Sequence, residues 1–245
     1  MTLSEEYNKT GNWLFRKRSF LPLILYVFAT ITLLFEHKEI LDFSNIFWAL
    51  SCFFISLIGL GIRILTIGYV PKATSGRNTD KQVADVLNTT GIYSIVRHPL
   101  YLGNFFMWLG IILYVGLLWF TFVCILIFWI YYERIMYAEE VFIREKFKDT
   151  FTEWATNTPA FLPNFRLWKK SDLSFSVKNV LKRENNGLFA TIVSFSYLNF
   201  LKNYIYYSEF SLDLLWQIIL LTGLGIFIVL YILKKKTHIL AVKGR

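Results

Sequence analysis

The sequence is poor in charged residues and has almost no cysteine, and both shortages narrow the classes of protein to which it can belong. Asp, Glu, Lys and Arg make up 18% of its 245 residues, whereas about a quarter is usual in a soluble domain. The two cysteines, Cys52 and Cys124, both lie in apolar runs without metal-binding spacing. We interpret them as small core residues, which excludes a disulfide framework.

Apolar side chains are abundant instead, at 55% of the residues, and 19% are aromatic. This composition predicts an integral membrane protein. The net charge of +9 would suit a nucleic-acid partner, but the basic residues occur in short segments between apolar runs and form no face interleaved with aromatic residues. We therefore interpret the positive charge as a signal of membrane topology and expect no nucleic-acid partner.

The apolar runs predict an all-α, polytopic transmembrane bundle. A crossing helix needs about 20 apolar residues, or fewer when flanking side chains snorkel. Six runs meet this requirement, at residues 19–36, 46–70, 100–115, 117–137, 188–207 and 212–233. The first lacks a signal-peptide cleavage site, and Gly110–Gly116 predicts a hairpin between the third and fourth. We expect a core at 1–187 and a two-helix extension at 188–245.

The distribution of basic residues predicts the orientation of these spans. The N-terminus, the loop at 71–99, the segment at 138–187 and the tail are basic, whereas the turns at 37–45, 114–118 and 208–213 are acidic or uncharged. Since Lys and Arg concentrate on the cytoplasmic side, both termini are expected there. Within the basic segment, apolar residues at helical spacing predict an interfacial helix at 172–184.

The second span carries a stripe of small and polar residues along one helix face. Cys52, Ser56, Gly59, Arg63 and Thr66 recur at intervals of four and three, and small residues there allow a neighbouring helix to approach closely. Arg63 has two interpretations. It either snorkels to the interface, or it is a fixed positive charge that holds an anionic group of a substrate or cofactor at the cytoplasmic mouth of the bundle.

A polar run from Gly91 to Gly103 precedes the third span and is the strongest indication of an active site. Pro99 is tolerated in the first turn of a helix, which places Arg97 and His98 just before a helix that starts near Leu100. Free amides at a helix N-terminus, with an arginine and a histidine, favour an anion pocket. The alternative is that Arg97 is only a topology signal and His98 only a helix cap.

An acidic pair, Glu139–Glu140, follows the fourth span. Adjacent residues on a helix point about 100° apart, so at most one can be buried squarely in a site unless both line its edge. The alternative is a pairing of Glu140 with Arg144 on a solvated helix face.

Together these residues resemble the superfamily of isoprenylcysteine carboxyl methyltransferases and phospholipid methyltransferases. The resemblance covers roughly residues 50–165 and rests on elements in a fixed order: Gly91, Tyr93, Arg97, His98, Pro99, Tyr101 and Gly103, then Glu139–Glu140, then a segment with spaced aromatic residues that ends at Pro163. Phe147, Phe151 and Trp154 stand where tyrosines are common in the family, which removes hydroxyl contacts.

The resemblance implies an S-adenosylmethionine-dependent enzyme of the bacterial inner membrane. By it, the residues lining the cofactor pocket would be Tyr93, Arg97, His98, Tyr101, Glu139 and Glu140. Arg63 would lie near the substrate tunnel, and Arg63, His98 and Glu140 are the candidate catalytic residues. The expected acceptor is a lipid or lipidated molecule. A lipid phosphate or lipid A-type headgroup is favoured, because the pocket is rich in arginine and Gly76-Arg77-Asn78-Thr79 resembles bacterial members.

Other functions remain open at this point. Methylation of an isoprenylcysteine carboxylate or of a phospholipid amine would use the same scaffold. A sterol-type NADPH reductase shares a similar Arg-His-Pro motif but typically has Asn where this chain has Leu100. A small transporter would also explain Arg63 and the polar stripe, although the sequence has no inverted repeat.

Overall fold

A computed structural model of the protein describes residues 1–20, 22–35, 45–71, 74, 82–242 and 244. These residues form seven α-helices: α1 (Leu3–Lys17), α2 (Leu23–Phe35), α3 (Ile46–Gly68), α4 (Pro99–Val115), α5 (Leu118–Asn157), α6 (Val177–Lys202) and α7 (Leu214–Lys236). A π-helical turn, Asn203–Tyr207, follows α6, and two short 3-10 turns lie at Ile92–Ser94 and Phe165–Leu167. No β-strand occurs in the described part of the chain, which confirms the all-α prediction.

Each of the six predicted spans overlaps one of the helices α2 to α7. Three of them, α3, α5 and α7, are long and apolar enough to cross a membrane. The helices α2 and α4 are apolar but shorter, at 13 and 17 residues. Length and composition therefore support three of the six predicted crossings.

Three predicted boundaries differ from the structure. The helix α5 continues to Asn157, with a kink at Lys148, where φ is 46°. The helix predicted at 172–184 begins at Val177 and is not a separate element, because it is the first part of α6, which runs to Lys202 and buries Val180 and Glu184. The expected boundary between residues 187 and 188 falls inside this helix.

The helix α1 was not predicted. It begins with a capping box, in which the Thr2 hydroxyl accepts from the Glu5 amide and the Glu5 carboxylate accepts from the Thr2 amide. This arrangement satisfies two of the amides that a helix start leaves unpaired. The helix packs against α5, where Gly11 lies against the backbone of Arg134.

Some sequence predictions fall on residues outside the described ranges. Gly76-Arg77-Asn78-Thr79, most of the basic loop before residue 82 and the turn at 37–44 belong to this group.

The face of small residues on α3 packs directly on α4. Gly59 lies against the backbone of Gly103 and Met107, and Gly110 lies against Cys52 and Ser56. The Ser56 hydroxyl donates to the Met107 carbonyl oxygen at 2.8 Å. The predicted close helix approach is confirmed.

Two hydrophobic clusters fill opposite ends of the bundle. One joins the C-terminal end of α4 to α6 and α7 through Tyr114, Phe195 and Trp216. The other surrounds the N-terminal end of α4 and includes Phe15, Tyr101, Tyr132 and Ile135. As predicted, the hairpin between α4 and α5 turns at Gly116, where φ is 88°. The polar motif therefore sits at the end of the bundle opposite this hairpin.

Candidate active site

One cavity of about 320 Å³ lies where the start of α4 meets the polar half of α5. All seven residues that the sequence singled out line it: Arg63, Tyr93, Arg97, His98, Tyr101, Glu139 and Glu140. They come from α3, from the segment before α4, from α4 itself and from α5. The fold thus brings together residues that are up to 77 positions apart in the sequence, Arg63 and Glu140 being the most distant.

The motif enters α4 through a constrained backbone. Gly91 has φ of 60°, a value that favours glycine, and its amide donates to the Lys169 carbonyl oxygen at 2.9 Å. Pro99 occupies the first turn of α4, as predicted, and His98 precedes it. The His98 imidazole makes no capping bond to the helix, so the interpretation of His98 as only a helix cap is wrong.

The imidazole of His98 lies between the two glutamates. Its Nε2 is 2.9 Å from Glu140 Oε1, and its Nδ1 is 3.8 Å from Glu139 Oε2. The ring is 7% exposed and stacks on Tyr101, with ring centroids 5.8 Å apart. Both carboxylates therefore reach the cavity despite their different directions on α5, because they flank one ring.

Arg97 is bound to the acidic pair and to the end of α5. Its Nε donates to Glu140 Oε1 at 2.8 Å, and its Nη1 donates to the carbonyl oxygens of Ala155 and Thr158 at 2.6 and 2.7 Å. Glu140 therefore pairs with Arg97 and His98, and the alternative of an exposed pair with Arg144 is wrong. Arg97 is likewise more than a topology signal.

Aromatic side chains form the wall beside the acidic pair. The Tyr101 hydroxyl donates to Glu139 Oε1 at 2.7 Å, and the Tyr132 ring lies 4.8 Å from the Tyr101 ring. Burial raises the pKa of the Tyr93 hydroxyl, and the nearby Glu139 carboxylate raises this pKa further. The Tyr93 phenol is therefore neutral at physiological pH.

Arg63 is held inside the bundle rather than at its rim. Its Nε and Nη2 donate to the two carboxylate oxygens of Glu184 at 2.7 and 2.9 Å, and its Nη1 donates to Asn104 Oδ1 at 2.6 Å. The Asn104 amide in turn donates to the Tyr132 hydroxyl at 3.1 Å. The Glu184 side chain is 4% exposed, so snorkelling does not describe this arginine.

Several cavity residues were missed by the sequence reasoning. Asn104 follows Tyr101 by three positions and therefore shares its helix face, which was a readable signal. Glu184 is an acidic residue at the end of a basic stretch, and Phe15 and Arg18 come from the unpredicted α1. No signal in the sequence paired Glu184 with Arg63, from which it is separated by 121 positions.

The charges around the cavity are mixed. It is lined by four arginines, namely Arg18, Arg63, Arg97 and Arg183, and by three glutamates and His98. Arg18, Arg63 and Arg97 each form an ion pair with a glutamate, although the Arg18–Glu139 pair is longer, at 4.0 Å. Within the described residues, no group of three or more His, Cys, Asp and Glu side chains is arranged to hold a metal ion.

Comparison with known proteins relates this segment to membrane methyltransferases. The phospholipid methyltransferase family matches residues 48–150, which include Arg63, the motif and both glutamates. The protein-S-isoprenylcysteine O-methyltransferase of Schizosaccharomyces pombe is 33% identical over 90 residues, which is 36% of this chain and 36% of the yeast protein. No solved structure is significantly similar.

Two bacterial proteins named for metal resistance are also similar. The cobalt-zinc-cadmium resistance protein CzcN of Cupriavidus metallidurans is 32% identical over 160 residues, which is 64% of this chain and 69% of CzcN. The nickel-cobalt-cadmium resistance protein NccN of Alcaligenes xylosoxydans xylosoxydans is 31% identical over 112 residues, which is 45% of this chain and 50% of NccN. Family match, motif and cavity agree, and the chain belongs to the superfamily of membrane methyltransferases that includes the phospholipid and isoprenylcysteine carboxyl methyltransferases.

Proposed function

We propose that this protein transfers a methyl group from S-adenosylmethionine to a lipid or lipidated acceptor embedded in the membrane. The observation that carries the proposal is the position of His98 between two glutamates, in a cavity built largely from the segment that matches the family. The cavity volume of about 320 Å³ falls within the range of about 300–1,000 Å³ that is typical of small-molecule sites.

The residues of the cavity suit the chemical groups of S-adenosylmethionine. Glu139 or Glu140 would accept from its ammonium group or ribose diol. Tyr93 and Tyr101 would pack on the adenine or attract the sulfonium through the face of the ring. The anion pocket expected from the sequence at Arg97 and His98 would suit the carboxylate, but in the structure the Arg97 guanidinium donates chiefly to the protein itself.

The cofactor, when bound, supplies an electrophilic methyl group. The residues around it then need only to bind and align the reactants and to exclude water, and such alignment can be worth about 7–11 kcal/mol in favourable cases. Tyr101 is fixed by its bond to Glu139, and the neighbouring His98 is fixed by Glu140. An anionic acceptor atom needs no general base under this scheme.

We propose that the headgroup of the acceptor lies beside Arg63. Arg63 donates three of its five N–H groups to Glu184 and Asn104. The two other N–H groups of Arg63 suit an oxygen-bearing headgroup such as a phosphate or a carboxylate. A lipid phosphate remains our first choice. The preference for a phosphate was based on an excess of positive charge in the pocket, and the pairing of Arg63 with Glu184 reduces this excess. The isoprenylcysteine carboxylate and the phospholipid amine therefore stay as alternative acceptors.

The topology is part of the proposal. We propose six crossings by α2 to α7, with both termini in the cytoplasm and the cavity at the cytoplasmic rim of the bacterial inner membrane. The last turn of α7 carries Lys234, Lys235 and Lys236, which is the basic pattern of a cytoplasmic flank.

Ligand binding by the purified protein in detergent tests the proposed reaction. Calorimetry should detect S-adenosylmethionine binding, and His98→Ala should weaken it by about 10-fold or more, because the pocket loses the imidazole that lies between Glu139 and Glu140. His238→Ala, at an exposed position in the tail, is the matched control and should bind as the wild type does. Binding of NADPH in place of S-adenosylmethionine would indicate the reductase, and solute flux in liposomes without either ligand would indicate a transporter.

The acceptor is to be found by mass spectrometry of membrane lipids from cells with and without the gene. A lipid heavier by one CH₂ unit that appears only with the wild-type gene, and not with His98→Ala, identifies it. An unchanged lipid profile would contradict a lipid acceptor.

A further inference from the structure

We infer that Arg97 is a positioning residue, which fixes the end of α5 and orients Glu140 against His98, and that it does not bind the carboxylate of the cofactor. This inference rests on the proposed function. It concerns which groups of the cavity face the cofactor and which hold the cavity together.

The guanidinium of Arg97 is nearly saturated by the protein. Four of its five N–H groups donate internally: Nε to Glu140 Oε1 at 2.8 Å, Nη1 to the carbonyl oxygens of Ala155 and Thr158, and Nη2 to Glu140 Oε2 at 3.5 Å. A bidentate arginine–carboxylate contact needs two parallel N–H donors. Arg97 can offer such a pair to a ligand only by giving up bonds that it already makes.

Apart from Glu140, the partners of Arg97 belong to one continuous stretch, which we call the post-kink segment (residues 149–164). The Arg97 amide donates to the Pro159 carbonyl oxygen at 2.9 Å, and the His98 amide donates to that of Ala160 at 3.1 Å. The Asn164 amide returns a bond to the Ile95 carbonyl oxygen at 2.9 Å. Side chain and backbone of Arg97 therefore hold the same segment.

This segment forms part of the cavity wall. Phe151 and Trp154 line the cavity, and the Trp154 indole donates to the Tyr93 carbonyl oxygen at 3.1 Å. Since the chain is kinked at Lys148, the helix axis alone does not determine where these aromatic rings lie. The bonds from Arg97 to the carbonyl oxygens of Ala155 and Thr158 hold the backbone next to Trp154.

Arg97 also divides the roles of the two glutamates. Glu140 Oε1 is within 2.9 Å of both Arg97 Nε and His98 Nε2, so this carboxylate connects the arginine to the imidazole. Glu139 Oε1 accepts one short bond, from the Tyr101 hydroxyl at 2.7 Å, and lies 4.0 Å from Arg18 Nη1, while Glu139 Oε2 is 3.8 Å from His98 Nδ1. The remaining acceptor capacity for a ligand ammonium or diol therefore belongs to Glu139.

A comparison of two ligands separates positioning from direct binding. Calorimetry with wild type, Arg97→Gln and Arg97→Lys measures the affinity for S-adenosylmethionine and for its decarboxylated analogue, which lacks the carboxylate. We expect each variant to weaken both ligands by the same factor, about 10- to 100-fold. Lysine should not rescue binding, because an ammonium group cannot reproduce the planar fork of donors. Arg16→Gln, an exposed change in α1, is the control.

Two results would overturn the inference. Weakened binding of S-adenosylmethionine alone, with unchanged binding of the analogue, would assign Arg97 to the carboxylate. Unchanged binding of both ligands would exclude a positioning role. If the wild type binds neither compound, the proposed function fails instead, which is a distinguishable outcome.

Amide hydrogen exchange of the ligand-free protein tests the positioning role separately, because loss of a residue that only binds ligand would not change the exchange rates. Arg97→Gln should accelerate amide exchange in the post-kink segment, while the α3–α4 interface keeps the wild-type rate. Equal exchange rates throughout would contradict the inference. If Arg97→Gln fails to fold, Arg97→Lys serves for the same measurement.

Discussion

Buried charges around the cavity form arginine–glutamate pairs whose members lie far apart in the sequence. Arg97 and Glu140 are 43 positions apart, and Arg63 and Glu184 are 121 positions apart. The sequence identified Arg63, Arg97 and Glu140 because two of them belong to a recognisable motif and the third interrupts an apolar helix. Glu184 has no such local signature, since its importance comes from the arginine opposite it in space.

The Arg63–Glu184 pair should show the penalty of an uncompensated buried charge. Glu184→Leu removes the partner of Arg63 and should lower the free energy of unfolding by up to about 3–5 kcal/mol. The loss is smaller than this limit because the Arg63 side chain is 21% exposed, so water solvates part of the unpaired charge. The double variant Arg63→Met/Glu184→Leu should be more stable than Glu184→Leu alone. Denaturation in detergent micelles measures both, and a double variant at least as unstable as the single one would contradict a dominant charge effect.

At the scale of helices, hydropathy located the elements that face lipid but not the full length of each helix. The helices α3 and α4 begin and end within two residues of their predicted spans. By contrast, α5 continues about 20 residues past its predicted end at 137, because a helix does not need apolar residues once it leaves lipid. The same reason explains why α1 escaped prediction, although the capping box of Thr2 and Glu5 was a readable signal. It also explains why the helix predicted at 172–184 was not joined to the span that follows it.

Two glycines on α3 provide a matched test of the α3–α4 interface. A Cβ at Gly59 would meet the backbone of Gly103 and Met107, whereas a Cβ at Gly61 has no atom within 4 Å. Gly59→Ala should therefore destabilise the protein by about 1–3 kcal/mol through overpacking. Gly61→Ala should be neutral or stabilise by up to about 1 kcal/mol, because alanine favours a helix. Equal effects of the two changes on denaturation in detergent would contradict this close helix contact.

At the scale of the whole molecule, helix length explains where the cavity can form. With 40 residues and about 1.5 Å of rise per residue, α5 is about 60 Å long, twice the hydrocarbon thickness of about 30 Å. Its apolar half pairs with α4 in the hairpin, and its polar half contacts α1 and the motif. Under the proposed function, a lipid-borne acceptor and a water-soluble cofactor would meet where α5 changes from its apolar to its polar half. The sequence predicted an active site in the polar run before the third span, but the walls supplied by α1 and α6 required the structure.

The number of crossings is testable, because six spans and three spans place the same residues on different sides. Single cysteines at Ser4, Glu209 and Lys236, all exposed, are introduced after Cys52 and Cys124 are replaced by serine. With six crossings, Glu209→Cys alone should react with a membrane-impermeant maleimide in intact cells, and the other two should react only after permeabilisation. If only α3, α5 and α7 crossed, Ser4→Cys and Glu209→Cys would share one side and Lys236→Cys would lie on the other, which would contradict the proposed topology.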